Sequence, residues 1–190
     1  MDDETLRAAV VGDLQPYAET VVVADYDPRW PSWFADLRAE IVGALGERAL
    51  RVEHTGSTSV PGLPAKPVID ILLAVSDTAD EAGYVPALEA AGFRLRLREP
   101  DWLEHRLLRR RIAEGDRHDV NLHVFSQQHA ADEIARVIGF RDWLRTHDED
   151  RDRYAAVKRE LAKRRWKYVQ NYADAKTDVI KEIHARAGLA

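Results

Sequence analysis

Cysteine is missing from this chain of 190 residues. Without thiols it can form neither a disulfide scaffold nor a thiolate metal site, and a reducing cytoplasm becomes the natural compartment. No apolar run approaches the roughly 20 residues needed to span a bilayer. The acidic opening "MDDETLRAAVVGDLQPYAET" has no positively charged stretch ahead of an apolar core, as a secretory leader would. A soluble, cytoplasmic protein with no membrane partner is expected. Gly/Ser linkers, low-complexity tracts and internal repeats are also lacking, which argues for one continuous unit. A Walker A loop, a dinucleotide fingerprint and a Ser-His-Asp set on a nucleophile elbow are absent as well. The charge balance has no basic excess: the net charge of -5 weighs against wholesale binding of a nucleic acid backbone.

What is present is an ordinary globular composition, 45% hydrophobic and 32% charged, in a length suited to one core. Residues 1–20 read as a loosely docked arm and 21–190 as a single domain. In "DPRWPSWFADLRAEIVGALGE", Pro31 is a first-turn proline, Trp33, Phe34, Leu37, Ile41, Val42 and Leu45 recur at helical spacing, and Gly46 stops the helix. Trp30 and Trp33 are expected to staple this helix to a sheet. "ALRVEH" and "VIDILLAV" are strands. A helix begins near Pro86 and closes at Gly92, and "FRLRLR", "HRLLRRRI" and "HDVNLHVF" are three more strands, the last two joined through "AEGDR" as a hairpin. Three helical stripes follow: Ile134, Val137, Ile138, Trp143 and Leu144; Tyr154, Val157, Leu161 and Tyr168; Val179, Ile180 and Ile183. The order predicts an α+β fold, a mixed sheet flanked by helices with a helical carboxyl-terminal third.

One stretch carries most of the chemistry: "RVEHTGSTSVPGLPAKPVIDILLAV". Gly56 can adopt backbone angles closed to other residues, and Ser57, Thr58 and Ser59 add hydroxyls beside the N–H groups of a tight turn, a build that suits phosphate. Thirteen residues beyond Ser57, Asp70 stands in a strand that is otherwise apolar. An ionised carboxylate there is costly unless paired, hydrogen-bonded or bound to a cation. Lys66, Arg51 or a backbone turn could supply the pairing. In "HDVNLHVF" the polar residues Asp119, Asn121 and His123 alternate with apolar ones, so they share one face, which is either solvent or a site. As hard and borderline ligands they suit a divalent cation, with Glu53 and His54 as further candidates. Lys66 could reach phosphate or neutralise Asp70. Arg141 with Asp142 is either an exposed pair, a helix-to-sheet tether or a ligand contact, and Lys158 and Lys176 sit on the carboxyl-terminal helices. Two basic runs, Arg106 with Arg109 to Arg111 and Arg159 with Lys163 to Lys167, are either solvated faces or contacts to a polyanion. His105, His118, His129, His147 and His184 have no metal-ligand spacing.

"EHTGSTSVPGLPAKPVIDI", followed by "NLHVF", "FRDWLRTH" and "YAAVKRELA", resembles the GrpB family, from about Val21 to Ala187. That family is placed in the nucleotidyltransferase superfamily with DNA polymerase β and kanamycin nucleotidyltransferase. The resemblance implies a nucleotidyltransferase-like fold whose Gly-Ser turn, here Gly56 and Ser57, holds a triphosphate. It also implies an Asp-x-Asp pair and a third carboxylate holding two Mg2+ ions. Asp70 matches one member of that pair, and Val68 or Leu72 stands where the other would be. Combined with the residue reading above, this gives an expected metal set of Asp70 with Glu53, Asp119, Asn121 and His123, and an expected catalytic set of Asp70, Lys66 and Asp119. Gly56, Ser57, Thr58, Ser59, Lys66, Arg141 and Lys158 are the phosphate or nucleotide contacts. The family also occurs fused to dephospho-coenzyme A kinase. The expected function is transfer of a nucleotidyl group from an NTP to a small acceptor. The alternative is a non-catalytic module that binds a nucleotide or a coenzyme A-like molecule.

Overall fold

The computed structural model describes residues 3–12, 21–111 and 119–189. The elements run α1 (Asp3–Ala9), α2 (Trp30–Leu45), β1 (Arg51–Thr55), β2 (Val68–Val75), α3 (Val85–Ala90), β3 (Arg94–Glu99), β4 (His105–Arg110), β5 (Asp119–Ser126), α4 (Ala131–Thr146), α5 (Asp148–Ala162), α6 (Val169–Asp174) and α7 (Thr177–Ala187). This is the expected α+β arrangement. The five strands form one mixed sheet in the order β1-β2-β5-β4-β3. β2 and β5 pair in parallel at its centre, and the other neighbours pair antiparallel. The proposed β4–β5 pairing is present, while most of its connection, residues 112–118 and with them "AEGDR" and His118, lies outside the described residues.

The two faces of the sheet have different jobs. On one, Ile69, Ile71 and Leu73 of β2 and Val120, Leu122 and Val124 of β5 are fully or almost fully buried against α2 and α3. Each such side chain contributes roughly 1.5–3 kcal/mol on leaving water. α2 starts at Trp30 with proline in its first turn and ends at Gly46, whose φ of 58° suits glycine. Trp30, rather than Val42, completes its buried stripe: Trp30 is 1% exposed and Val42 36%. Val42 lies about 100° around the helix from Ile41, which turns it to solvent.

The second face is apolar at one end only, where Leu72, Ala74 and Phe125 pack under Ile134 of α4. The carboxyl-terminal helices build a separate core of their own from Leu144, Tyr154, Val179 and Ile183, closed by Val60 and Leu63. Four helices stand here where three stripes were read. Tyr168 belongs to the start of α6, where its N–H donates to Asn171 Oδ1 at 3.0 Å and its carbonyl accepts from the Asn171 N–H at 3.1 Å. Because these helices pack on one another, the polar end of the sheet face stays open beneath them. Part of the arm is an edge element: Val10 bridges to Leu97 of β3, and the Val11 N–H donates to the Arg96 carbonyl at 2.8 Å. Residues 13–20 lie outside the described set. Among the described residues no helix is long and apolar enough to cross a membrane.

Candidate functional site

The antiparallel register of β1 and β2 sets Thr55 opposite Asp70, so the turn after β1 begins directly above the carboxylate. Gly56 takes φ 65°, ψ −172°, a region used essentially by glycine. A Cβ on Gly56 would lie 2.3 Å from Asp70 Oδ2 and 2.9 Å from Asp70 Cβ. Glycine is required twice, for the angle and for the contact. The turn then winds through Ser57–Ser59 as one short 3-10 turn. The Ser59 hydroxyl donates to the Gly56 carbonyl at 2.6 Å, and the Thr58 hydroxyl to the Val68 carbonyl at 3.2 Å. The loop is thereby pinned to the start of the strand that carries Asp70.

Pairing of β2 with β5 and of β5 with β4 lays Asp70, Asn121 and Arg109 in one row across the sheet. Leu72, His123, Leu107 and Leu97 form the next row. Above them opens a cavity of about 470 Å³, within the range of small-molecule sites. Gly56, Ser57, Thr58, Lys66, Asp70, Asn121, His123 and Lys158 line it. Asn121 Nδ2 donates to Asp70 Oδ1 at 2.8 Å. Burial pushes the Asp70 carboxyl above its ordinary value, against the opposing pull of Asn121, Lys176, Lys66 and Arg109. Burial also lowers Lys66, with the Arg109 charge adding to it, and lowers Arg109, against the pull of the Asp70 carboxylate. Lys158 is 2% exposed. Its Nζ donates to Ser57 Oγ at 2.9 Å and to the Pro64 carbonyl, and burial brings it down to about 6, helped by the Lys176 charge.

Glu53, His54, Arg141, Asp119 and Ser59 are not brought into this cavity; His54 is buried and stacks on Phe34, ring centroids 4.8 Å apart. Glu53 shares the sheet face but is taken by Arg141 Nη1 at 2.8 Å and Arg51 Nε at 3.1 Å. Burial would raise its carboxyl, and these two arginines more than reverse that. Arg141 is the helix-to-sheet tether: it also donates to the His54 carbonyl at 3.0 Å and pairs with Asp142 at 2.8 Å. Asp119 is exposed, one step before the row, opposite Val68. Ser59 turns inward to Gly56, and its carbonyl accepts from Arg145 at 2.8 Å. These places correct Glu53 and Asp119 as metal ligands, Asp119 as a catalytic group, and Arg141 and Ser59 as ligand contacts. Among the described residues no three His, Asp or Glu side chains converge as a metal set. Asp70 stands as the one carboxylate at the cationic end, so the donors present do not fit a two-Mg2+ centre.

The cavity also holds residues that the sequence reading left unassigned: Arg109, His105, Glu99, Trp102, Gln170 and Tyr172. The basic run of β4 splits by strand period. Arg109 faces the cavity, whereas Arg106 is buried against Glu81 at 2.7 Å and Arg110 pairs with Glu40 at 2.5 Å. The same alternation puts His105 on the cavity face, a signal present in "HRLLRR" but unusable until the partner strand is known. His105 Nδ1 lies 2.7 Å from Glu99 Oε2 and its Nε2 3.1 Å from His123 Nδ1. Trp102 meets His105 edge-on, ring centroids 5.0 Å apart. Leu103 and Glu104, the two residues between them, both take left-handed φ, 54° and 51°, a strained arrangement for non-glycine residues.

The family model described as GrpB protein matches residues 20–186. The chain belongs to the GrpB family. It is similar to the UPF0157 protein BH1888 of Halalkalibacterium halodurans, 53% identical over 97% of this chain and 91% of that one. To the UPF0157 protein SCO7215 of Streptomyces coelicolor it is 45% identical, over 92% and 88% respectively. A dephospho-CoA kinase of Mycolicibacterium paratuberculosis is 30% identical over 85% of this chain but only 44% of its own length. The crystal structure of the conserved protein GrpB from Enterococcus faecalis superposes with a TM-score of 0.72 at 30% identity, covering 87% of this chain and 96% of that one.

Proposed function

We propose that this GrpB-family chain binds a nucleoside triphosphate in the cavity and passes its nucleotidyl group to a small acceptor at the far end, the acceptor's new bond to the α-phosphorus replacing the α–β phosphoanhydride bond and pyrophosphate leaving at the cationic end. One observation carries the reading: the Gly56 turn and Asp70 touch, and Lys66, Arg109, Lys158 and Lys176 line the same cavity. Turn amides and four basic side chains are a phosphate-binding combination. These cations, not a pair of metal ions, meet the charge of the phosphates, and they stabilise charge that grows as a phosphorus–oxygen bond breaks. Part of the mycobacterial kinase, whose name places it on a coenzyme A precursor, shares this domain, which supports a phosphorylated ligand.

Thermal shift with ATP, GTP, coenzyme A and pyrophosphate tests the binding half, since a ligand of the folded state raises Tm. Binding is expected to survive EDTA with less than a threefold change. No shift with any phosphorylated probe overturns the reading. Mass spectrometry after incubation with alcohols, amines and carboxylates tests transfer. The isolated carboxylate favours a second reading, a binding module without turnover. Saturable binding with no product from any acceptor decides for it.

A further inference from the structure

The cavity is divided along the strand direction. Its cations gather around the Asp70 row and the Gly56 turn, whereas past Asp70 the wall becomes Leu72, Leu107, Phe125, Trp102 and Val137. At the boundary stand two side-chain atoms whose hydrogen-bonding roles are fixed by their neighbours. The Glu99 carboxylate can only accept, so His105 donates to it from Nδ1 across 2.7 Å. A neutral His105 ring, which the proposal below takes as its premise, accepts at its other nitrogen, and across the 3.1 Å contact His123 then donates from Nδ1. His123 Nε2 is left with a bare lone pair. It faces Asp70 Oδ1 across 4.0 Å, and that oxygen also accepts, from Asn121. Burial brings His123 down to about 3, and the charges of Arg109 and of His105, the latter only in its protonated form, add to this; the His123 ring is neutral.

Two acceptors that face each other across this gap require a shared donor. A single atom about 2.8 Å from both fits a 4.0 Å separation, and it must carry two hydrogens. A hydroxyl carries one and would leave its own lone pairs against one acceptor. An amino group satisfies both, and a water holds the same position when no ligand is bound. We propose that the space between Asp70 Oδ1 and His123 Nε2 is a subsite for the primary amino group of a small ligand whose apolar body lies against Leu72, Leu107, Phe125 and Trp102. That this amine is the acceptor of the transfer rests on the function proposed above; that it binds here does not. His105 and Glu99 are positioning residues, acting only through the proton they fix on His123 Nδ1.

Long-range 15N–1H spectra of the histidine-labelled full chain test the arrangement directly. His105 and His123 are both expected as neutral rings protonated at Nδ1, and Glu99→Ala is expected to give His123 a mixture of tautomers. The spectra are then followed during titration with n-pentylamine, 1-pentanol and ammonium chloride. The amine is expected to shift the His123 Nε2 and Asn121 side-chain signals saturably. The alcohol, which lacks the second hydrogen, and ammonium, which lacks the apolar body, bind at least tenfold more weakly. Asp70→Asn, which keeps an oxygen for Asn121, weakens the amine at least tenfold. A proton found on His123 Nε2, or an alcohol that binds as well as the amine, overturns the subsite. ATP binding is measured on the same sample. Amine binding without ATP binding removes the proposed function and keeps the subsite, and the reverse result removes only the subsite.

Discussion

The buried lysine makes a quantitative demand on ligand binding. Lys158, at about 6, carries a proton in only about 1% of molecules at pH 8, since each unit from the pKa is tenfold. Its Nζ lies 2.9 Å from Ser57 Oγ, so a phosphate seated on the Gly56–Ser57 turn sits within about 4 Å of it. One unit charge at that distance is worth about 4 kcal/mol at an effective dielectric constant of 20. At 1.36 kcal/mol per unit this lifts the lysine by about 3 units, to about 9. Binding at pH 8 therefore draws in about 0.9 proton. Isothermal titration of ATP in buffers of different ionisation enthalpy reads this number as a slope, and pH 8 lies well above the second phosphate ionisation near 6. The linked affinity falls with rising pH, by about tenfold per unit between roughly pH 6 and 9. Lys158→Met is expected to bring the slope near zero. A wild-type slope near zero, or one unchanged in Lys158→Met, refutes the reasoning. The sign for folding is separate: the unfolded chain holds this proton up to about 10.5 and the folded chain only to about 6, so the group's contribution to stability rises with pH across that window.

Gly56→Ala places a methyl 2.3 Å from Asp70 Oδ2 at a φ of 65°. Loss of about 1–3 kcal/mol from the strained backbone alone, and of ATP binding, is expected in denaturation and thermal shift; unaltered ATP binding would contradict the contact. Asp70→Asn is expected to raise Tm near pH 7.5 by about 2–4 °C per kcal/mol gained, because burial holds this carboxyl above 3.8. An acid raised in the folded state opposes folding at all higher pH, so the gain should vanish below about pH 3.8. Calorimetry at both pH values checks it. Arg141→Met removes charged hydrogen bonds to Glu53 and the His54 carbonyl, at a cost of about 1.5–3 kcal/mol in urea titration. ATP affinity should stay within about twofold, since the guanidinium lies outside the cavity; a larger drop would place Arg141 in the site.

The elements were legible because local chemistry dictates them. Pro31 and Gly46 bound α2, alternation defines "FRLRLR" and "HDVNLHVF", and an unbroken apolar run around Asp70 marks a central strand buried on both sides. Alternation also put Asn121 and His123 on one face before any partner was known. Its limits appear at β4, where period two separates Arg109 from Arg106 and Arg110 but does not say which side meets a ligand. Glu53 shows the opposite error. Its residue type and nearness to the turn suit a metal, yet Arg141, 88 positions away, claims it.

The amino-acid order by itself determined the five strands and most of the helices, where a glycine-dependent turn must lie, and that one acid would sit among hydrocarbons. Strand register and helix packing decided the rest. They joined Asp70 to Asn121, ran Glu99 through His105 to His123, and lowered Lys158 onto Ser57. Those meetings depend on pairings between segments distant in the chain, and a periodic pattern fixes the face a side chain occupies without fixing its neighbour across the sheet.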